Sequence, residues 1–190
     1  MPELPKTREE LLTSIYSGTQ HELLFFWGHT DPEKDPDTVG EWIFSQWRSC
    51  SFTLNGLPYS SAEQYMMAEK ARLFGDQETR KKIIETSDPV EAKALGRLVH
   101  QFDEKVWNQH RSGIVVAGNL AKFGQNEAYK EFLLQTGEHI LVEASPHDRI
   151  WGIGLSADDP KAKDPVSWRG RNLLGFALME VRRQLSESSL

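Results

Sequence analysis

The spacing of apolar residues along the chain predicts helices over most of its length. Apolar positions recur every three or four residues in 8–20, in the stretch from Ser60 or Ser61 to about Phe74, and over about 172–186. That period is typical of helices that bury one face. Capping residues and terminal glycines predict the remaining helices, which cover residues 76–86, a stretch from Asp88, a stretch from Asp103 through 117–123, and a stretch from Asn126 to Gly137.

Shorter stretches predict a few strands. HELLFFWGHT (21–30) and HILVEA (139–144) resemble strands, and RIWGIGL (149–155) is expected to pair near the second. SFTLNGLPY (51–59) predicts a hairpin, because Asn55-Gly56 supplies the positive φ angles of a tight turn. Residues 31–40 and 156–167 have the composition of loops. The expected fold class is therefore mainly α with a few short β-strands (α+β).

Composition narrows the class of protein. A chain of 190 residues, 38% of them hydrophobic, is long enough for one buried core. The chain has no run of ~18 to 20 apolar residues for a membrane helix and no apolar signal-peptide segment near its start. Its single cysteine, Cys50, fits a reducing compartment. We therefore expect an intracellular protein of the cytoplasm, or else of the nucleus, with no membrane contact.

The charge balance limits the partners. A formal net charge of −6 does not attract a nucleic-acid backbone non-specifically. A phosphate-bearing ligand therefore requires a local basic pocket, and a modified base at a strand end stays open as a substrate. No protein partner can be inferred.

One helical stretch, SSAEQYMMAEKARLF, has the strongest candidate chemistry. Glu63, Met67 and Lys70 are spaced i, i+4 and i+7, so a carboxylate and an amine share one helix face. The alternative is structural: Ser60-x-x-Glu63 fits a capping box, and Lys70 fits a solvated helix position. The sequence alone leaves both interpretations open.

Three further patterns suggest a ligand, each with a structural alternative. Trp107 and Trp151 could stack a base or pack in the core. Asp148, just before Trp151-Gly152, could act on a ligand or merely form a turn. Arg171 and Asn172 precede a helix, where an anion is favoured, or Asn172 simply caps it.

No metal or cofactor is expected. His139 and His147 lack helical ligand spacing, and Cys50 has no second cysteine to join it. The GIG at 152–154 lacks the third glycine and following helix of a dinucleotide-binding loop.

The patterns together resemble one family. The chain is similar to the YbiA-like (NADAR) family over about 21–186, which leaves residues 1–20 as an expected N-terminal extension. Loops 31–40 and 156–167 are longer than in compact bacterial members, which bears on substrate size. The matching elements stand in family order: FFWG, FSQW (44–47), the hairpin with SSAEQYMMAEK, ALGR (94–97), Trp107, LAKF (120–123), HDRIWG and GRNLLGFALMEVR.

The resemblance implies an N-glycosidase, a hydrolase that cleaves a ribosyl C–N bond. The expected reaction removes ADP-ribose from guanine in a nucleoside or nucleic acid. The alternatives are hydrolysis of a phosphoribosylamino-pyrimidine of riboflavin biosynthesis, a non-catalytic nucleotide-binding module, or a protein-interaction module. The implied catalytic residues are Glu63, Lys70 and Asp148. The implied substrate-binding residues are Trp107, Trp151, Gly152, Arg97, Phe44, Arg171 and Asn172.

These residues have distinct expected roles. Glu63 is expected to move protons, and Lys70 to act as a Schiff-base nucleophile or as a ligand clamp. Asp148 is expected to orient the ribose hydroxyls, with Trp107 and Trp151 stacking the base.

Overall fold

Helices dominate the fold, as the apolar spacing predicts. The computed structural model describes residues 4–29 and 38–188, so most of the predicted loop 31–40 lies outside the described part. The helices of the described part are α1 (Arg8–Tyr16), α2 (Ala62–Leu73), α3 (Gln77–Glu85), α4 (Pro89–Gly96), α5 (Glu104–Gly124), α6 (Glu127–Gln135) and α7 (Leu173–Glu187).

Two small sheets accompany the helices in the described ranges. Strand β1 (Leu23–Phe26) pairs in parallel with β4 (Ile140–Glu143), with Leu23 opposite Ile140. Strands β2 (Phe52–Leu54) and β3 (Leu57–Tyr59) form the predicted hairpin. Asn55 and Gly56 have φ angles of 53° and 77°, which confirms the turn prediction.

Most predicted helix starts are confirmed by side-chain caps. Asp88 accepts from the Val90 amide, with Pro89 at the first helical position, and Asp103 accepts from the amides of Lys105 and Val106. Asn126 differs: it precedes α6 but does not cap it, because its Nδ2 donates instead to the Lys122 carbonyl at 2.6 Å.

The prediction of a strand at 149–155 is wrong. Asp148 folds the chain into a turn, and Gly154 has a φ of +68°, outside the strand region. One bond, from the Ile153 amide to the Glu143 carbonyl, ties this segment to β4. The segment therefore forms a bent loop beside the strand.

Helices α2, α5 and α7 position β4 and the residues around it. Helix α2 contacts α3, α4 and α5, while α7 lies between α5 and β4. The approach of α7 to the strand is close, because a Cβ on Gly175 would lie 2.0 Å from the Leu141 carbonyl oxygen. Strand and helix backbones are thus held at a separation that only glycine permits.

The predicted loop 156–167 is built from two short 3₁₀ turns, Pro160–Lys163 and Pro165–Ser167. Helix α1 packs against the second turn, and the Arg8 guanidinium donates to the Pro165 carbonyl at 3.1 Å. None of the helices in the described ranges combines the length and apolar character needed to span a membrane.

Candidate active site

Glu63 is not part of the helix cap, so the capping-box interpretation is wrong. Ser61 is the N-cap of α2, and its hydroxyl accepts from the Gln64 amide. The Gln64 side chain in turn accepts from the Ser60 amide at 2.7 Å. The reciprocal bonds of the cap therefore belong to Gln64, which leaves the neighbouring Glu63 carboxylate without a capping role.

The Glu63 carboxylate is buried in an incompletely satisfied environment. The side chain is 3% exposed, and its enclosed Oε1 accepts no hydrogen bond from any described residue. Burial raises the pKa of Glu63 to about 7, against the opposing influence of Lys93 and of the Trp47 indole N–H. A buried carboxylate with a near-neutral pKa and an open acceptor is typical of a functional acid or base.

Glu143, at the end of β4, is a second carboxylate of the same kind. Its Oε2 is enclosed and has no hydrogen-bond partner among the described residues. Burial, then the negative charge of Asp148, raises its pKa to about 8, and Glu63 acts in the same direction. The local sequence gives no signal for this residue, because a glutamate at the end of a short strand is ordinarily exposed to solvent.

Lys93 and Trp47 form one side of this carboxylate pair. The Lys93 Nζ lies 5.2 Å from the centre of a Trp47 ring, and its charge lowers the pKa values of both Glu63 and Glu143. The His29 ring packs against Trp47, with 5.7 Å between the two ring centroids. Lys93 therefore acts on both carboxylates, while the Trp47 indole and the charge of Arg97 act on Glu63.

Lys70 lies on the Glu63 side of α2, as its spacing predicts. Its Nζ donates to the Gly96 carbonyl at 2.7 Å and lies 4.3 Å from the centre of the Phe102 ring. Trp107 is next to it, with 5.8 Å between Nζ and the indole centre. Burial lowers the pKa of Lys70, then the charge of Arg97 lowers it further, while Glu63 opposes both.

Asp148 forms the turn that the structural alternative predicts. Its Oδ1 accepts from the amides of Ile150 and Trp151, both at 2.8 Å. Its charge nevertheless raises the pKa values of Glu63 and Glu143, so it is an electrostatic neighbour of the carboxylate pair. Asp148 therefore both forms the turn and belongs to the candidate site.

Several predicted substrate-binding residues surround this cluster. Trp107 is 9% exposed, Trp151 is half-buried, and Arg97 is exposed at the end of α4. At Gly152, an added Cβ would lie 2.8 Å from the Glu143 carbonyl oxygen and 3.0 Å from that of Asp148. Glycine at 152 therefore lets the Asp148 turn lie directly against the end of β4.

Two predicted ligand contacts do not fit their positions. Phe44 has no exposed surface and packs against the rings of Phe26, Phe123 and Phe132, so it is a core residue. Asn172 is also fully buried. Its Oδ1 accepts from the Glu143 amide at 2.9 Å and its Nδ2 donates to the Leu141 carbonyl at 2.8 Å, so its side chain holds β4 and makes no capping bond to α7.

Another buried charge, that of Lys122, has a structural role. Burial lowers the pKa of Lys122 to about 7, but its Nζ donates to the carbonyls of Ile43 and Ser45 at 2.6 and 2.9 Å.

A separate cavity of about 600 Å³ lies beside α7, where Arg183 pairs with Glu180 and Glu187. No group of three or more metal-ligating side chains is found within residues 4–29 and 38–188.

Comparison with known proteins identifies the family. The NADAR domain model matches residues 25–186. N-glycosidase R617 of Acanthamoeba polyphaga mimivirus is 48% identical over 151 residues, which cover 77% of this chain and 89% of the relative.

Two bacterial proteins extend the comparison. The riboflavin biosynthesis protein VVA0006 of Vibrio vulnificus is 33% identical over 73% of this chain, which matches 34% of that protein. The solution structure of Escherichia coli YbiA superimposes with a TM-score of 0.70 at 26% identity, and the match covers 90% of this chain and 89% of YbiA. The chain therefore belongs to the NADAR domain family and is a glycosyl hydrolase of the N-glycosidase type.

Proposed function

We propose that the chain hydrolyses a ribosyl C–N bond with the Glu63–Glu143 carboxylate pair, and that the preferred substrate carries ADP-ribose on the amino group of guanine. The observation that carries the chemistry is the pair itself: Glu63 is 3% exposed, Glu143 is half-buried, and each carboxylate has one enclosed oxygen with no partner among the described residues. The charge of Glu63 raises the pKa of Glu143, so ionising one carboxylate disfavours ionising the other near neutral pH.

The environments of the two carboxylates assign their roles. Burial raises the pKa of both carboxylates, to about 7 for Glu63 and about 8 for Glu143, so either can hold a proton near neutral pH. The Trp47 N–H favours the ionised form of Glu63. Glu143 is therefore the acid and Glu63 the base, in the division of labour common to glycoside hydrolysis.

The proposed step moves one proton from Glu143 to the departing nitrogen and one from water to Glu63. Glu143 gives its proton to the departing nitrogen as the bond from that nitrogen to the sugar C1 breaks. Glu63 takes a proton from water, whose oxygen forms the new bond to C1, and the ionised Glu63 stabilises the positive charge that builds on the sugar. The products are a free amine and a sugar hydroxyl, and one proton then returns from Glu63 to Glu143.

Lys70 and Asp148 complete the proposal as predicted catalytic residues. We favour Lys70 as a clamp for the ligand over the Schiff-base role, because its amine already donates to the Gly96 carbonyl. Trp107 and Phe102 beside it offer rings on which the base can stack. Asp148 lies close enough to the pair to orient the ribose hydroxyls through the oxygen that the turn does not use.

The experiment compares two substrates. The protein is incubated with ADP-ribosylated guanosine and, separately, with a phosphoribosylamino-pyrimidine, and the products are followed by mass. Faster release of ADP-ribose supports the first substrate. Preference for the pyrimidine would favour the alternative that the name of the Vibrio relative suggests.

The variants of this experiment test the carboxylate pair. Glu63→Gln and Glu143→Gln are expected to lose at least about 100-fold in kcat, in the range of acid–base catalysis. Glu131→Gln, at an exposed position on α6, is the matched control and should retain full activity. Full activity in Glu63→Gln would remove this residue from the mechanism. Binding of either ligand without turnover by the unmodified protein would favour a non-catalytic module.

A further inference from the structure

Arg111 is a buried cation that the reaction as proposed does not use. It lies on α5 one turn after Trp107, so the two side chains share a helix face. Arg111 is 6% exposed, and its guanidinium carbon lies 6.0 Å from the centre of the Trp151 ring. The guanidinium makes no hydrogen bond or ion pair with any residue in the described ranges. Its N–H donors therefore bond to no described residue, although the side chain as a whole is largely buried, and they are available to an acceptor on a ligand.

A second arginine adds to the positive charge at this point. Arg171 is exposed, and its amide donates to the Arg149 carbonyl at 3.0 Å, which places it alongside the Trp151 loop. Gly170 makes this approach possible, since a Cβ there would lie 2.8 Å from the Arg149 Cα. Burial and then the Arg171 charge lower the pKa of Arg111, so the two guanidinium groups repel each other without an anion.

Two carboxylates also face Arg111, and neither neutralises it by direct contact. Glu104 and Asp148 raise its pKa in opposition to burial and Arg171, but no ion pair joins either acid to the guanidinium. Asp148 is at the same time a neighbour of Glu63 and Glu143. Asp148 therefore acts on both the carboxylate pair and Arg111, so these groups belong to one part of the molecule.

We propose that Arg111 and Arg171 form an anion subsite, beside Trp151, that binds the phosphate of the sugar-phosphate half of the substrate. The planar guanidinium matches the geometry of phosphate oxygens and binds two of them at once. The Trp151 ring lies beside the Arg111 guanidinium, 6.0 Å from its central carbon to the ring centre, and favours its charge through a cation–π contact. This inference rests on the proposed N-glycosidase reaction for its substrate, whereas the anion site itself is testable without turnover.

The binding test uses the full chain and three probes: inorganic phosphate, inorganic pyrophosphate and ADP-ribose, each titrated by calorimetry. Arg111→Met is expected to weaken pyrophosphate and ADP-ribose binding at least 10-fold, and Arg171→Gln to weaken both 3-fold or more. Arg111→Lys, which keeps the charge and loses the planar fork, should fall between Arg111→Met and the unmodified protein. The matched control is Arg72→Gln, which removes a surface charge paired with Glu69 at 2.8 Å on α2 and should change neither affinity by more than 2-fold.

Two further measurements separate a binding role from a structural one. Arg111→Met should leave Tm unchanged or raise it, because it removes a buried charge that has no partner; a marked fall in Tm would indicate a structural arginine and overturn the proposal. With active enzyme, Arg111→Met should raise KM for the phosphorylated substrate and leave KM for its phosphate-free ribosyl analogue unchanged. Pyrophosphate and ADP-ribose binding equal to that of the unmodified protein in Arg111→Met would also overturn the proposal. If neither substrate is hydrolysed but Arg111→Met still loses pyrophosphate, the anion site stands and the proposed reaction fails.

Discussion

At the scale of single residues, the buried charge of Glu63 is expected to lower the stability of the folded protein when the carboxyl ionises. Its pKa rises from 4.5 to about 7 on folding, so the folded protein binds the proton more tightly than the unfolded chain. Stability is therefore lost as pH rises from about 4.5 through about 7, and little is lost below that window. Glu63→Gln removes the charge at nearly constant volume. We expect it to raise the free energy of unfolding at pH 8 by on the order of 1–3 kcal/mol, with almost no change at pH 4.

Denaturant unfolding of both proteins at the two pH values measures this difference. Gln64→Leu provides the contrast one residue away, because Gln64 holds the helix cap and donates to three carbonyls at the end of α3, including that of Thr86 at 2.6 Å. It should lose stability at both pH values. Equal stability of Glu63→Gln and the unmodified protein at pH 8 would mean that the ionised Glu63 carboxylate does not destabilise the folded protein.

The carboxylate pair also predicts a narrow pH optimum. Turnover requires Glu63 ionised and Glu143 protonated, so kcat/KM should rise through about pH 7 and fall above about pH 8, with both limbs belonging to the coupled pair. Glu143→Gln has no acidic proton to lose, so its low residual activity should show no alkaline fall. Rates measured between pH 5 and 10 test this, and an alkaline limb that persists in Glu143→Gln would assign the acid to another residue.

At the scale of elements, local signals predicted the helices and long-range burial decided the site. Asp88-Pro89 and Asn55-Gly56 act through their own backbone neighbours, so the sequence is enough to place α4 and the hairpin. Glu143 was missed because its burial depends on α7 and on the Asp148 turn, which come from later parts of the chain. The strand prediction is correct for β4 but its alternation is not, because Ile140, Leu141 and Val142 are all buried, and tertiary packing also encloses one oxygen of Glu143.

Asn172 joins two elements, so its loss should affect both β4 and the site. It has a left-handed φ of 56° and bonds the Glu143 amide and the Leu141 carbonyl. Asn172→Ala should cost about 2–4 kcal/mol of stability, since two buried backbone groups lose their partners and alanine is strained at that φ. It should also lower kcat, because Glu143 is no longer held in place.

Asn172→Gly is the control for this prediction, since glycine relieves the backbone strain and still lacks the side-chain bonds. Its stability should lie between those of Asn172→Ala and the unmodified protein, with kcat reduced as in Asn172→Ala. Urea unfolding and steady-state rates distinguish the two contributions. Full activity in the glycine variant would show that the bond to the Glu143 amide does not position the carboxylate.

At the scale of the whole molecule, the family match begins at residue 25 while the described core begins earlier. Leu11 of α1 has no exposed surface and belongs to the core. The Arg8 guanidinium on the same helix donates hydrogen bonds to the carbonyls of Pro165 and Val166 in the second 3₁₀ turn. Residues 1–20, expected as an extension, therefore include a helix that is packed into the domain.

Two substitutions on α1 test whether this helix contributes to the stability of the domain. Leu11→Ala should cost about 2–4 kcal/mol, the range for removing a buried leucine side chain. Tyr16→Ala, on the same helix but with 73% of its surface exposed, should change stability by less than about 0.5 kcal/mol. Both variants should keep the unmodified kcat at a temperature where they are folded, because neither residue contacts the carboxylate pair. Thermal and denaturant unfolding measure the difference, and unchanged stability in Leu11→Ala would mean that the domain holds together without α1.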